Sequence, residues 1–406
     1  MQSIALVNCY FGPFPWYFPF FIKSCAANPT IDFFIFSDTN FDKVIPENVK
    51  IIPFTLEQFN KIATLKLGFE VNVKTPYKLC EFKPAFGALF SEYLETYDFW
   101  GITDLDVVYG RIREFMNEET LAYYDVICVR NDYITACCML FKNTEYINTL
   151  FEKSKDYKKV FTTARYFGFD ETNFEQVTII EKQDIFKLEC EIETMQHVVL
   201  KEEETGNLRI HFDLLGCDGN PGKMKWDNGV FSYNDQFEIL LYHFQNYKNN
   251  LFSKNDLIWD EIPDRFYIDK YSYRMTNSIW SNLHFFYTDF IKPLWWNWKK
   301  EGDKILSLYF FKNKFTMLEE GEYHYILSKN NIIISKGKNG ANYLKSKNSK
   351  EYELYHSIFF KNFFFVKGIN SIFEYKSNEK KNIKSFRVIN YNGLGISYNK
   401  LELDEY

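Results

Sequence analysis

Through its first half the chain alternates short apolar runs with longer amphipathic stretches. SIALVNCYFG and IDFFIFSD are apolar and aromatic runs closed by turn residues, which predicts buried strands ending near Gly12 and Asp38. Between them PWYFPFFIKSCAANP reads as a helix, and VKIIPFT as a third strand. PAFGALFSEYLETY predicts a helix leading into the strand DFWGITDL; YYDVICVR and ITACCMLFKN are further strands, and EYINTLFEKSKD a further helix. Strand–helix alternation of this kind predicts an α/β fold with a mostly parallel sheet flanked by helices.

After Cys217 the pattern changes. KMKWDNGVFSY predicts a hairpin turning at Asp227-Asn228-Gly229, a triplet able to adopt positive φ. FEILLYHFQ predicts a strand with Ile239, Leu241, His243 and Gln245 on one face. Beyond about residue 270 cysteine is absent, and a helical segment with PLWWNWKK precedes the strand-like runs YHYILS, NIIISK, FFFVKG and FRVINY. The expected division is an α/β domain at 1–265 and a smaller C-terminal accessory region of mixed helix and strand at 266–406.

Composition narrows the class. The 43 Phe, 29 Tyr and 8 Trp among 406 residues supply ample core, and a net charge of −6 argues against a nucleic-acid partner. The eight cysteines include no CxxC pair, and several sit within apolar runs, as reduced buried cysteines do. With no basic, cleavable leader and no apolar run of about 18 residues, the expected location is cytoplasmic. FFYTDFIKPLWWNWKK (285–300) admits a peripheral contact at the inner face of the cell membrane. The reading preferred here is a linker helix whose tryptophans pack on the α/β domain, because Pro293 breaks a simple amphipathic stripe.

The candidate chemistry centres on DFWGITDLDVVYG. Residues two apart on an extended segment point the same way, so Asp104 and Asp106 can present both carboxylates where a parallel strand ends. A hard cation, Mn²⁺ or Mg²⁺, takes such oxygens and completes its shell with substrate phosphates. The pattern is short, and the same carboxylates serve equally well as turn caps or partners of Arg111 and Arg113.

DFWGITDLDVVYGRI, with YKLCEFKPAFG upstream and LLYHFQNYK far downstream, resembles the signature regions of GT-A-type glycosyltransferases. More narrowly, residues 1–250 resemble a poorly characterised bacterial family found with surface-polysaccharide biosynthesis. The resemblance implies a GT-A (Rossmann-like) fold and a hexosyltransferase. The donor would be a nucleotide-diphosphate sugar, UDP-linked by first choice, and the acceptor a glycan or lipid-linked glycan. It implies a metal held by Asp104, Asp106 and His243, with Asp106 the more direct ligand and Asp104 also reaching the ribose. Lys248 would meet a diphosphate oxygen, although HFQNYK lacks the glycine often found between such a His and Lys. Asn8, Phe11 and Gly12 fall where the nucleotide lies, Asp38 where the base is met, and Lys78 and Lys83 where the donor pocket is lined.

Inversion, favoured here over retention, needs a base for the acceptor hydroxyl, and FGFDETNFEQV offers Asp170 and Glu171. The same pair also reads as a helix cap with a first-turn acid. Trp226, expected on an exposed loop beside DNG, is the candidate sugar-stacking residue; Trp100 and Tyr109 read as core. No Walker-type loop supports a nucleotidyltransferase, and DLDVVYG lacks the threonine of a DxDxT phosphatase. The remaining alternative is a non-catalytic carbohydrate-binding or scaffold protein with a relic GT-A domain.

Overall fold

The first strand, β1 (Ile4–Tyr10), buries Ile4, Ala5, Leu6 and Val7 almost completely. A strand apolar on both faces needs cover on both, and β1 lies inside the main sheet. The computed structural model describes residues 1–276, 278–307, 317–324, 331–337, 341–346, 351–357, 359–360, 362–366, 371–375, 385–389 and 395–400. Its main sheet also takes β2 (Ile31–Ser37), β3 (Val49–Pro53) and β4 (Phe99–Thr103). After β5 (Val107–Tyr109), which belongs to another sheet, come β6 (Val126–Cys128), β7 (Cys138–Lys142) and β8 (Ile210–Phe212). The order is β3-β2-β1-β4-β7-β6-β8.

Pairing is parallel across β3-β2-β1-β4 and between β6 and β8, and β7 runs against both its neighbours. The predicted mixed α/β class with a mostly parallel sheet is what the chain forms. The reversal at β7 has a simple cause: the link from β6 is too short for a crossover, which needs a dozen or more residues.

Helix α1 (Phe18–Ala26) buries Phe18, Phe21 and Cys25 against this sheet and turns Phe20 the other way, into an aromatic cluster with Phe244 and Phe266. Helix α2 (Leu56–Leu67) starts at a Thr55/Gln58 capping box and stops at Gly68, φ 74°. The helix expected through PAFGALFSEYLETY is broken instead. A 3₁₀ run, Pro76–Ala85, holds Pro84 inside it and passes into the single turns Phe86–Leu89 and Ser91–Leu94. Proline removes a ladder donor, and Gly87 abuts Trp100 so closely that a Cβ would lie 2.4 Å from the indole. EYINTLFEKSKD likewise gives one turn, Glu145–Asn148, and a 3₁₀ stretch, Leu150–Lys153.

Strands β9 (Gly216–Cys217), β10 (Met224–Asp227), β11 (Val230–Tyr233), β12 (Phe237–Glu238), β13 (Leu241–His243), β14 (Arg265–Ile268) and β15 (Tyr273–Arg274) make two smaller sheets. One is β12-β11-β10-β14-β15; the other is β5-β13-β9. The predicted hairpin is β10–β11, turning through Asn228 and Gly229 at φ 49° and 91°. The strand expected through FEILLYHFQ breaks at Ile239 and Leu240 into β12 and β13, which join different sheets, and Gln245 opens a helical turn, Gln245–Lys248.

A segmented helix follows: α-helical over Ile279–Phe286, π over Tyr287–Ile291 and α-helical again over Lys292–Ile305. Then β16 (Gly321–His324), β17 (Asn331–Lys336), β18 (Asn342–Ser346), β19 (Tyr352–His356), β20 (Phe363–Val366), β21 (Ile372–Glu374), β22 (Ser385–Ile389) and β23 (Gly395–Lys400) close into an antiparallel barrel. Tyr323, Ile334, Leu354, Phe364, Phe373 and Phe386 fill it. Of the strand-like runs noted in the sequence, 325–328, 367–368 and 390–391 lie outside the described residues.

Candidate functional site

The site grows from the end of β4. Asp104 donates its backbone N–H to the Cys137 carbonyl (2.9 Å), so the DLD turn is anchored to the start of β7. The chain re-enters as β5, which pairs antiparallel with β13 in the register Val107↔His243. The Phe244 N–H donates to the Asp106 carbonyl (2.7 Å), closing that end of the ladder. Asp106 and His243 therefore meet because two short strands pair. On the far side β9 runs parallel to β13, Cys217 beside Tyr242, which sets Asp218 against His243. This approach requires Gly216: a Cβ there would lie 2.7 Å from Leu241 Cδ1. The turn after β13 swings Lys248 back over the pair.

The result is a chain of alternating charges. Lys248 Nζ donates to Asp106 Oδ2 (2.6 Å), and His243 Nε2 lies 3.2 Å from the same oxygen. His243 Nδ1 faces Asp218 Oδ1 at 3.1 Å, and Arg130 Nη1 donates to Asp218 Oδ2 at 3.1 Å. Arg130 is itself gripped by both oxygens of Asp132, at 2.8 and 2.7 Å. Lys83 Nζ donates to Asp104 Oδ1 (2.6 Å) and to the Ala136 carbonyl (2.9 Å). Burial disfavours charge on Asp106, but His243 and Lys248 outweigh it and hold this carboxyl far below the usual range. Burial likewise opposes a charged His243, and Asp106 outweighs it, raising the imidazole well above its ordinary value. Lys83 and Lys248 are raised too, each by its aspartate against the pull of burial.

Lys83, Asp104, Asp106, Asp218, His243 and Lys248 line a cavity of about 670 Å³ that also reaches Asn8 and Phe11 at the end of β1. Asp170 and Glu171 form another part of its wall. Asp170 is 3% exposed and accepts from the Tyr166 hydroxyl (2.9 Å); burial, then neighbouring Glu171, pushes its carboxyl well above the usual range. Glu171 is tied at both oxygens, accepting from Thr135 Oγ1 (3.2 Å), the Ala136 N–H (3.2 Å) and Gln176 Nε2 (2.8 Å).

Asn8, Phe11, Lys83, Asp104, Asp106, Asp170, Glu171, His243 and Lys248 are thus brought to one cavity, and four other candidates are not. Lys78 is buried with its ammonium on Glu81 and on the Arg165 carbonyl (2.6 Å), where it binds the 3₁₀ run to the loop before Asp170. Trp226 is 2% exposed, stacks on Phe266 and donates Nε1–H to the Tyr109 carbonyl (2.9 Å); its strand lies inside a sheet, between β11 and β14. Gly12, at φ 101°, donates its N–H to Asp38 Oδ1 (2.7 Å), so these two residues hold the β1 turn shut outside the lining. The eight cysteines form no disulfides with one another.

One ligand atom each from Asp104, Asp106 and His243 lie within 4.8 Å of one another, so the cluster could hold a metal ion. Two carboxylates and an imidazole suit a divalent cation. The residues fit on two conditions. The partly exposed Lys248 must release Asp106. His243 must keep its proton on Nδ1, toward Asp218, leaving the Nε2 lone pair for the metal. Asp218 and Arg130 did not stand out in the sequence, because nothing in GCD marks an orienting carboxylate until β9 is seen to pair with β13. An Asp218→Asn variant should weaken Mn²⁺ binding roughly ten- to hundredfold, as loss of a partner behind a ligating histidine does. Calorimetric titration of the metal alone checks this; unchanged affinity would make Asp218 a bystander.

Fold and site together define a mixed α/β protein with an acidic–histidine cluster at the end of the central strand of its main sheet. The chain belongs to the family of unknown function DUF6625, whose profile matches residues 6–277. No curated protein matches it. Similar solved structures include the glycosyltransferase GlyE of Streptococcus pneumoniae TIGR4, at 11% identity over 52% of this chain and 45% of that one, TM-score 0.22. The apo form of GlyE aligns over the same shares at TM-score 0.24. A galactosyltransferase, LgtC, in complex with donor and acceptor sugar analogues, aligns at 10% identity over 53% of this chain and 76% of that one, TM-score 0.26. The chain spans less than half the length of GlyE, and no residue role is carried over from either protein.

Proposed function

We propose that this chain is a GT-A-like glycosyltransferase, moving a hexose from a nucleotide-diphosphate sugar, UDP-linked by first choice, to a surface-glycan acceptor. One observation carries the reading: Asp104, Asp106 and His243 share a cavity wall with two lysines already seated on those carboxylates. Interleaved acids and cations suit a cation and a diphosphate together better than either alone. When bound, Mn²⁺ or Mg²⁺ at this cluster would neutralise charge building on the leaving diphosphate.

The chain's own groups do the rest. Lys248, once off Asp106, has its ammonium free to meet a diphosphate oxygen, and Lys83 keeps Asp104 oriented. Asn8 Nδ2 donates to the Thr103 carbonyl (2.5 Å), joining the β1 and β4 ends that form the donor side. For inversion, Asp170 is the better base of the candidate pair, since both oxygens of Glu171 are occupied by local donors. Burial and Glu171 raise the Asp170 carboxyl, which makes its carboxylate a stronger proton acceptor once ionised.

The test is a thermal-shift panel of UDP, GDP, CMP and their sugars with and without Mn²⁺. Ligand at about 100 Kd should stabilise the native state by about 2.7 kcal/mol. A manganese-dependent shift confined to one nucleotide class is the expected result. No shift with any nucleotide, in folded protein, would replace this reading with a carbohydrate-binding or scaffold role.

A further inference from the structure

The helix over Ile279–Ile305 is turned inside out. Trp280 (81% exposed), Leu283 (55%), Tyr287 (55%), Ile291 (41%), Leu294 (68%) and Trp298 (77%) recur at three- and four-residue spacing, forming one outward apolar stripe. The inward face instead carries Asp289, Lys300 and Asp303, all buried, with Trp296 as its apolar anchor. The linker-helix expectation is met only at Trp296, which packs against Phe252 and Phe360.

Two polar clamps fix this orientation. Asp289 accepts from the Lys270 and Tyr271 N–H groups, at 2.7 and 3.2 Å. Fourteen residues on, Asp303 accepts from the Phe359 N–H (3.1 Å) and from the Ser357 hydroxyl. Rolling the helix to hide its tryptophans would break both clamps and bare two buried carboxylates. The stripe is therefore built to meet something outside the chain.

Charge selects the occupant. The acids at 289 and 303 face inward, and exposed Glu301 is paired with Lys300 (3.5 Å). Lys292 is exposed, and half-buried Lys299 sets its ammonium among the Trp295, Phe359 and Phe360 rings (5.2, 5.9 and 5.1 Å) at the flank of the stripe, so the flanking charge is basic on a chain of net charge −6. A second copy would bring a like-charged rim to face this one. An anionic bilayer surface offers opposite charge, an apolar boundary for the stripe and the interfacial setting that tryptophan favours. No described helix is long and apolar enough to cross a membrane, so the stripe would lie along the surface. We propose that this helix docks the protein on anionic phospholipid, with Trp280 and Trp298 inserted at its two ends. The inference stands whether or not the cavity binds a nucleotide sugar.

Co-sedimentation with vesicles of phosphatidylcholine, with and without phosphatidylglycerol, tests it. The full chain should pellet only when phosphatidylglycerol is present. A Trp280→Ser/Trp298→Ser double variant, altered only at exposed positions and checked for an unchanged Tm, should bind at least about tenfold more weakly. Lys292→Glu should weaken binding in the same direction. Three outcomes would overturn the proposal: wild-type protein left in the supernatant, equal pelleting of the double variant, or a dimer in sedimentation velocity that the double variant dissolves.

Discussion

An Asp106→Asn variant should lose manganese-dependent nucleotide binding altogether, an effect of at least about a hundredfold on metal affinity. The same change should destabilise the ligand-free protein. Asp106 is 6% exposed and is the one carboxylate shared by His243 and Lys248. Neutralising it leaves the Lys248 ammonium without its carboxylate and removes the main group that favours a charged His243. Breaking a buried pair costs about 3–5 kcal/mol, and the low end applies because Lys248 can swing into water. The pH dependence has a definite sign. A carboxyl whose folded pKa is depressed contributes stability above its unfolded value of about 3.9, and that stability is lost as pH falls toward the folded value. The wild-type protein should accordingly lose stability below about pH 4 more steeply than Asp106→Asn. Urea titration at several pH values measures it, and parallel acid limbs would show that Asp106 carries no such charge.

A second large effect is expected away from the cavity. Glu81→Ala should cost about 3–5 kcal/mol, read as a shifted urea midpoint. Lys78 and Glu81 are both essentially buried. Glu81 also accepts from the Phe167 and Phe169 N–H groups, and Lys78 donates to the Arg165 carbonyl. Removing the carboxylate strands an ammonium and two backbone donors at once. A Lys78→Met/Glu81→Leu double variant should recover part of the loss, because no lone charge then remains. A cost below about 1 kcal/mol for Glu81→Ala would mean that water reaches the pair.

What could be read beforehand followed local chemistry. Apolar runs marked β1, β2, β3 and β4, and Asn228-Gly229 marked the β10–β11 turn, because burial and positive φ are written in adjacent residues. Asn8 and Phe11 at the end of β1 share the cavity with Asp104 and Asp106 after β4 for the same reason. The errors came where a distant partner decides the outcome. Lys78 reads as a phosphate ligand because the 165–169 loop that buries it together with Glu81 lies far along the chain. Trp226 reads as exposed because the hairpin's own residues do not reveal the next strand, β14, whose Phe266 pairs with Trp226 on the buried face. Asp218 and Arg130 passed unnoticed, and the exposed tryptophans of the 279–305 helix were assigned to packing. The barrel's closure, β16 against β23, is likewise invisible to periodicity.

The pairing of β5 with β13 also bears on how the molecule forms. It joins Asp106 to a lysine 142 positions away, whereas β10 and β11 close across a two-residue turn. Closing so long a loop carries an entropic penalty before any contact rewards it, and such contacts form slowly. A partly folded chain can hold the parallel strands from β1 to β4 and still possess no cluster of Asp104, Asp106 and His243. Recovery of metal affinity during refolding would thus report the closing of the chain rather than the appearance of its secondary structure.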